Sequence, residues 1–518
     1  MNCSPDQIKH FSPEETTLLA TELGHCLAQY YRECQAKTGR TVPPLTPDHY
    51  VQMATAAMEC QPTQGETSTP ARFFELATMA LSNGHHLHDP RYMGHQVPPV
   101  VPASALFDVL GRAANQGAAV FEMAPFGTAA ERAVINALGQ LIGWQAGTFA
   151  GIGTHGGTLA NVTALLAARN IRYPDSWQSG MAAPGAAGAA GASGGKSPLK
   201  PAIMASADSH YCIARACGIL GIGTAQLIKI PVDENRRMDL AKARELLQTS
   251  QTNGLDVFAI VGSACTTPTG SFDDLAGIAK IAAENKLWFH VDGSHGASFL
   301  FSEKHRHLVS GIEHADSIAW DAHKMLFVPA LCTYLFYKNA RHSWEAFSQD
   351  APYLFNPIRR EDSADHQDVA GGLAEYDGGL RTFECTKGAL SLGLWGIWSL
   401  YGKDFIASLI DRAMANTSAM FDLIQNAPDF EAAHDPQCNI LCFRHVPVGH
   451  ELETDALSDL QMNIRNRLLN EGNWYITGTR LNNAYWLRVT LINPLTTTEH
   501  LSGLLDAIRM IAAANHST

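Results

Sequence analysis

Between residues 201 and 340, short β-rich apolar runs alternate with helical patterns: PAIMAS, AQLIKIPV, VFAIVGSA, KLWFHVD and LCTYLFY. These runs are apolar at successive positions rather than at every second one. A strand of that kind is buried on both faces, so helices must cover both sides of its sheet. The pattern therefore predicts an α/β fold with a mainly parallel central sheet. In such sheets ligands sit beyond the carboxyl ends of the strands. The chemically unusual residues fall there: Asp292 closes the run LWFHVD, and Lys324 follows the run SIAWDAH one strand–helix–strand passage later.

A chain of 518 residues exceeds one ordinary domain. We expect an N-terminal helical segment (1–103), a large domain (104–402) and a small C-terminal α/β domain (403–518). The first segment contains SPEETTLLATELGHCLAQYYREC, read as a helix with Ser12 at the N-cap and Pro13 in the first turn. The stretch AAPGAAGAAGASGG (182–195) is low in complexity and reads as an exposed loop without chemistry.

The 37 basic and 50 acidic residues give a net charge of −13, which argues against nucleic acid or an anionic membrane as a partner. Eleven cysteines without a CxxC pair suggest neither a disulfide framework nor a zinc module. The spacing of His85, His86, His88 and His95 fits no standard metal site, so no metal is expected. The polar N-terminus does not look like a signal peptide, and no apolar run is long enough to span a bilayer, so a cytoplasmic protein is expected.

A carboxylate at the end of an apolar strand is costly to bury without a cation. A protonated pyridine nitrogen would meet Asp292, and that ion pair makes pyridoxal 5′-phosphate an electron sink. Lys324, beside His323 in a partly apolar setting, is suited to form a Schiff base with the cofactor aldehyde. The turn at His155-Gly156-Gly157-Thr158 opens a helix whose first N–H groups suit a phosphate. Each feature alone has a plainer structural reading: a helix cap, a surface cation, a turn. Their combination points to the cofactor.

The segments LWFHVDGSHGA and GIEHADSIAWDAHKMLFVP resemble the group II pyridoxal-phosphate-dependent amino-acid decarboxylases, and the resemblance runs from about residue 85 to 500. That family includes the glutamate, cysteine-sulfinate, diaminobutyrate and aromatic amino-acid decarboxylases. The resemblance implies fold type I, the aspartate-aminotransferase type, built as a homodimer with shared active sites. It further implies Lys324 as the cofactor-bearing lysine, Asp292 on the ring nitrogen and His210 stacked on the ring. Gly157, Thr158 and His323 are expected at the phosphate or aldehyde end, and Thr267 and Ser294 near the ring. Two departures stand out: Cys265 occupies a family glycine position, and Gly293-Ser294 replaces a common Ala-Ala pair.

Decarboxylation requires the Cα–carboxylate bond to stand perpendicular to the ring, so the protein must fix the carboxylate. The resemblance gives Arg488 that task, with His95, Gln96 and Phe121 lining the substrate pocket. The carbon left by CO2 must then be protonated. Tyr376, between paired glycines in GGLAEYDGG, is the expected acid, with Tyr353 as the rival. The alternative is the same fold with another outcome, an aldehyde synthase or a lyase. A third departure, Lys387-Gly388 in place of a family arginine pair, bears on loop anchoring or substrate charge.

Overall fold

The computed structural model describes residues 9–59, 68–181, 200–347, 373–449 and 452–515. The 182–195 stretch and Tyr353 lie outside them. Among the described residues, no helix is long and apolar enough to cross a membrane. The chain forms two compact units, Gln96–Thr417 with His434–Leu441, and Met1–His95 with Ser418–Ala433 and Cys442–Thr518.

The larger unit is built on seven strands: β1 (Ala150–Thr154), β2 (Lys200–Ser206), β3 (Leu227–Ile230), β4 (Leu255–Ser263), β5 (Trp288–Asp292), β6 (Ser317–Asp321) and β7 (Thr333–Tyr337). Their spatial order is β1-β7-β6-β5-β4-β2-β3. β2, β3, β4, β5 and β6 pair in parallel, while β7 runs antiparallel to both β1 and β6. Every residue of β5, β6 and β7 is buried, as the unbroken apolar runs required. One face packs on the helix Gly157–Arg172, whose residues Ala160 to Asn170 are all buried. Asp274 starts the helix Leu275–Asn285 by accepting from Gly277 N at 2.9 Å, and Asp239 caps Leu240–Thr252 in the same way.

The other unit contains a four-stranded sheet of β8 (Phe430–Ala432), β9 (Ile440–His445), β10 (Thr477–Leu481) and β11 (Ala484–Thr490), ordered β10-β11-β9-β8. Its first helix, Pro13–Ala36, begins as the sequence predicted: the Ser12 side chain accepts from Glu15 N at 3.0 Å. This unit joins chain ends that the sequence reading kept apart. Thr41 N donates to Gly472 O at 2.8 Å, and Met93 N to Tyr475 O at 2.9 Å. Backbone bonds across such sequence distances leave no periodicity to read. Gly402, with φ +77°, breaks the long helix Leu392–Gln425 where the sequence reading ended the large domain.

Candidate active site

The carboxyl ends of β1, β2, β4, β5 and β6 open onto one cavity of about 370 Å³ in the larger unit. Each strand end delivers its chemistry at the point where the backbone leaves the sheet. His155, Gly156, Gly157 and Thr158 follow β1; His210 follows β2; Cys265 and Thr267 follow β4. Asp292, Ser294 and His295 come from β5, and Asp321, His323 and Lys324 from β6. Gln96, Asn161 and Leu331 complete the lining.

Lys324 Nζ lies 3.0 Å from Asp321 Oδ2. Burial alone would push the ammonium pKa down, but Asp321 and then Asp292 outweigh it and hold it above its ordinary value. Asp321 was not singled out from the sequence, although its placement three residues before the lysine was the available signal. Its other oxygen accepts from Thr333 Oγ1 at 2.6 Å, which fixes the carboxylate. Asp292, 9% exposed, accepts from Ser294 Oγ at 2.6 Å and from Ser294 N at 3.2 Å. Ser294, the departure from the Ala-Ala pattern, is therefore a carboxylate anchor.

Burial lowers the pKa of His210, with the pull of Asp292 only partly offsetting it, so the imidazole is neutral near pH 7. Its Nδ1 accepts from Cys212 N at 3.3 Å, which leaves the proton on Nε2. His323 Nδ1 is 2.9 Å from Cys332 O, and its Nε2 faces Asp321 Oδ2 at 3.7 Å.

The β1 turn needs both its glycines. Gly156 has φ +98°, and a Cβ on Gly157 would meet Ser294 Oγ at 2.7 Å and Asp321 Oδ1 at 2.8 Å. Behind this turn runs a buried hydrogen-bond chain that the sequence reading missed. Trp288 Nε1 donates to Ser317 Oγ at 2.8 Å, and the Ser317 hydroxyl serves His290 Nδ1 at 2.8 Å. His290 Nε2 meets Asn161 Oδ1 at 2.7 Å, and Asn161 Nδ2 donates to Gly157 O at 2.8 Å. Burial lowers the pKa of His290, in keeping with a neutral ring that donates once and accepts once.

Four expected substrate or proton-transfer residues do not line the cavity. Phe121 and Tyr376 lie together elsewhere in the same unit, their rings 5.5 Å apart. Arg132 sits over the Tyr376 ring at 4.9 Å and pairs with Glu375, while Phe121 N donates to Asp377 Oδ1 at 2.9 Å. Tyr376 is 37% exposed. His95 and Arg488 belong to the other unit. Arg488 is no surface arginine: it is 6% exposed on an inner strand, with Nη1 3.1 Å from Thr490 Oγ1. His95 Nε2 is 2.9 Å from Tyr475 OH, and burial followed by the Arg488 charge lowers its pKa. Lys387, at the third departure, is buried and donates to Glu131 Oε1 at 2.6 Å and to Gly153 O at 2.7 Å. It anchors the end of β1.

The cavity suits pyridoxal 5′-phosphate on its own geometry. A helix start stripped of side chains offers N–H groups to a phosphate, a paired amine faces the interior, and an anchored carboxylate stands in the same wall. Residues 77–446 match the pyridoxal-dependent decarboxylase conserved domain, and the chain belongs to that family. It is an amino-acid decarboxylase, a carboxy-lyase that uses pyridoxal phosphate.

Among its relatives, the L-aspartate decarboxylase of Metarhizium robertsii is 30% identical over 385 residues, covering 74% of this chain and 71% of that one. The L-2,4-diaminobutyrate decarboxylase of Rhizobium meliloti is 30% identical over 443 residues, 85% and 82% of the two chains. The cysteine sulfinic acid decarboxylase of Mus musculus is 28% identical over 444 residues, 83% of each. Its crystal structure superposes with a TM-score of 0.84 over 97% of this chain and 99% of that chain at 24% identity, which establishes the shared fold.

Proposed function

We propose that this chain removes the α-carboxyl group of a short acidic L-amino acid, releasing CO2 and the amine. The observation that carries the reading is the convergence of Lys324, Asp292 and His210 with the Gly157–Thr158 helix start in one cavity. Bound there, pyridoxal 5′-phosphate supplies the electron sink that makes loss of CO2 feasible. The protein supplies position and protons. The N–H groups of Gly157 and Thr158 would hold the phosphate, aided by the helix dipole. The Asp292 carboxylate, anchored by Ser294, would pair with the ring nitrogen, and His210 would stack on the ring as a neutral imidazole. Thr267 and His323 would contact the ring and its aldehyde end. Asp321 takes part in the proton balance of Lys324 Nζ, which must be a free amine to act as a nucleophile.

For the substrate, the family resemblance assigns the α-carboxylate to Arg488, with His95 beside it, and makes Gln96 and Phe121 pocket residues. Tyr376 is the proposed acid that delivers a proton to Cα, acting from the partner subunit of a homodimer in which residues 1–103 also pack on the partner. One observation favours an acidic side chain: the relatives include decarboxylases of L-aspartate and of cysteine sulfinic acid. The diaminobutyrate decarboxylase relative, matched over a larger share of the chain, supports L-2,4-diaminobutyrate as the second reading.

The test is a panel of L-aspartate, cysteine sulfinate, L-glutamate, L-2,4-diaminobutyrate and the aromatic amino acids, each followed for CO2 and product mass. Turnover of aspartate or cysteine sulfinate at least tenfold above the rest is expected. A dominant diamine product replaces the acidic reading with the second, and an aldehyde with ammonia in place of amine refutes simple decarboxylation.

A further inference from the structure

The cysteine that stands where relatives carry glycine has a partner. Cys265 Sγ lies 3.6 Å from Cys438 Sγ, although the two are remote in sequence. One ring nitrogen of His295 completes a cluster in which all three ligand atoms lie within 4.8 Å of one another. All three residues belong to the larger unit and are buried, at 8%, 0% and 2% exposure for Cys265, Cys438 and His295. Cys265 and His295 also line the cavity that holds Lys324 and Asp292.

The cluster is held in place from several sides. Gly296 N donates to Ala264 O at 2.8 Å, tying the neighbour of His295 to the neighbour of Cys265, and Ala264 N donates to Asp292 O at 2.9 Å. The turn after Cys265 is closed by Thr266 N to Ser271 O at 2.9 Å and Gly270 N to Thr266 O at 2.9 Å. Gly270 packs so closely on Cys438 that a Cβ there would meet its sulfur at 2.2 Å. His295 Nε2 is 2.7 Å from Asn439 Oδ1. An amide oxygen only accepts, so the proton sits on Nε2 and Nδ1 keeps the lone pair that a metal takes. An outer partner of this kind is what orients histidine ligands in metal sites.

Metal dimensions fit this frame. Zinc–sulfur bonds of about 2.3 Å in a tetrahedron set the two sulfurs about 3.8 Å apart, close to the observed separation. The His295 ring needs a shift of about an ångström to reach bonding distance. Three protein ligands leave a fourth position for water, and two of the three ligands, Cys265 and His295, line the cavity.

We propose that Cys265, Cys438 and His295 form a binding site for a thiophilic divalent cation of the zinc class, and that occupancy of this site stops turnover by placing a cation in the wall of the cofactor cavity. Binding follows Zn²⁺ + 2 RSH → Zn(SR)₂ + 2 H⁺, with His295 as neutral third ligand, and involves no redox change. Affinity therefore rises with pH. The inhibitory part rests on the decarboxylase reading; the binding part does not.

The experiment titrates Co²⁺, then Zn²⁺, into the cofactor-loaded enzyme in a non-thiol reductant. It follows the sulfur-to-cobalt charge-transfer band, the metal content and, separately, substrate turnover. We expect one Co²⁺ per chain, a band that Zn²⁺ displaces, and turnover lost in step with Zn²⁺ occupancy. Cys438→Ser, outside the cavity lining, should keep uninhibited turnover within about twofold while losing the band and at least tenfold of the zinc sensitivity. If that variant does not fold, Cys265→Gly decides on the band alone. Absence of the band in the native enzyme, its survival in the variant that folds, or a mass loss of two hydrogens without bound metal would each overturn the site. A band without inhibition would overturn the inhibitory part. An enzyme that binds Co²⁺ but turns over no amino acid would indict the decarboxylase reading and leave the metal site standing.

Discussion

At the scale of single residues, Lys324 shows how a nucleophilic amine can be stored as its conjugate acid. Asp321 at 3.0 Å, with Asp292 behind it, outweighs burial and raises the lysine above its ordinary range. The sign follows directly. A raised folded-state pKa favours the ammonium, so the ion pair adds stability at neutral pH, and that contribution is lost only as pH rises through the folded value. The free amine needed to take up the cofactor is the minor form. Uptake of pyridoxal phosphate by the apo-protein should therefore speed up by roughly tenfold per pH unit between about pH 7 and about pH 9. Stopped-flow absorbance of the lysine-bound cofactor reads this; a flat profile would mean the proton is not held as the geometry implies. Lys324→Ala should abolish both the absorbance and turnover, and any variant that retained full turnover would remove the lysine from the mechanism. Asp321 differs from Asp292 in a way the sequence hides. Both end buried strands, yet the one three residues before the lysine makes the close ion pair, while the one that the spacing singled out is held by Ser294 instead.

At the scale of elements, the site depends on how the helix Gly157–Arg172 is seated on the sheet. The chain Trp288–Ser317–His290–Asn161–Gly157 crosses from β5 and β6 to the first turn of that helix, each donor meeting one acceptor. Removing one member strands its neighbours in a dry interior. Asn161→Ala leaves the His290 N–H and the Gly157 carbonyl without these partners, and should cost about 1–3 kcal/mol. Urea unfolding of the apo-protein measures that loss. A role in seating the phosphate turn adds a second effect, at least a tenfold weaker affinity for pyridoxal phosphate. Unfolding loss with unchanged cofactor affinity would make the network structural only. This network also shows where reading the sequence stops. The strands were legible because burial on both faces forces unbroken apolar runs, and the cavity's place followed from where those runs end. His290, inside such a run, looked like one more buried position; its two partners come from two other elements, β6 and the helix Gly157–Arg172, and only the fold aligns them. Cys265 and Cys438 are the same case. Cys265 stood out in sequence only as a departure from a family glycine and Cys438 not at all, and their pairing appears when the β4 turn closes.

At the scale of the whole molecule, the residues expected around the substrate do not all gather at the cavity. Tyr376 and Phe121 form their own partly exposed cluster with Arg132 and Glu375. The sequence places Tyr376 between glycines, and the family resemblance puts such a tyrosine on a loop supplied by the partner subunit. The proposed homodimer with shared sites gives this a testable meaning: Tyr376 of one subunit would serve Lys324 of the other. Mixing tests it. Lys324→Ala lacks the nucleophile, and Tyr376→Phe should lose at least tenfold in amine formation. In a mixed dimer with the tyrosine acting across the interface, the Tyr376→Phe subunit keeps its own Lys324 and receives an intact Tyr376, so one of the two sites is complete. Random reassortment makes half of the dimers mixed, so turnover should recover to about a quarter of the native value. A tyrosine acting within its own chain predicts no recovery, because no chain in the mixture carries both residues. The product profile sharpens the same result: recovered turnover should yield amine, whereas the Tyr376→Phe homodimer should shift toward aldehyde and ammonia. Recovery to a quarter with amine as product would establish both the dimer and the direction of the loop's service. Absence of recovery, in a mixture shown by mass spectrometry to contain mixed dimers, would return Tyr376 to its own chain or remove it from the chemistry.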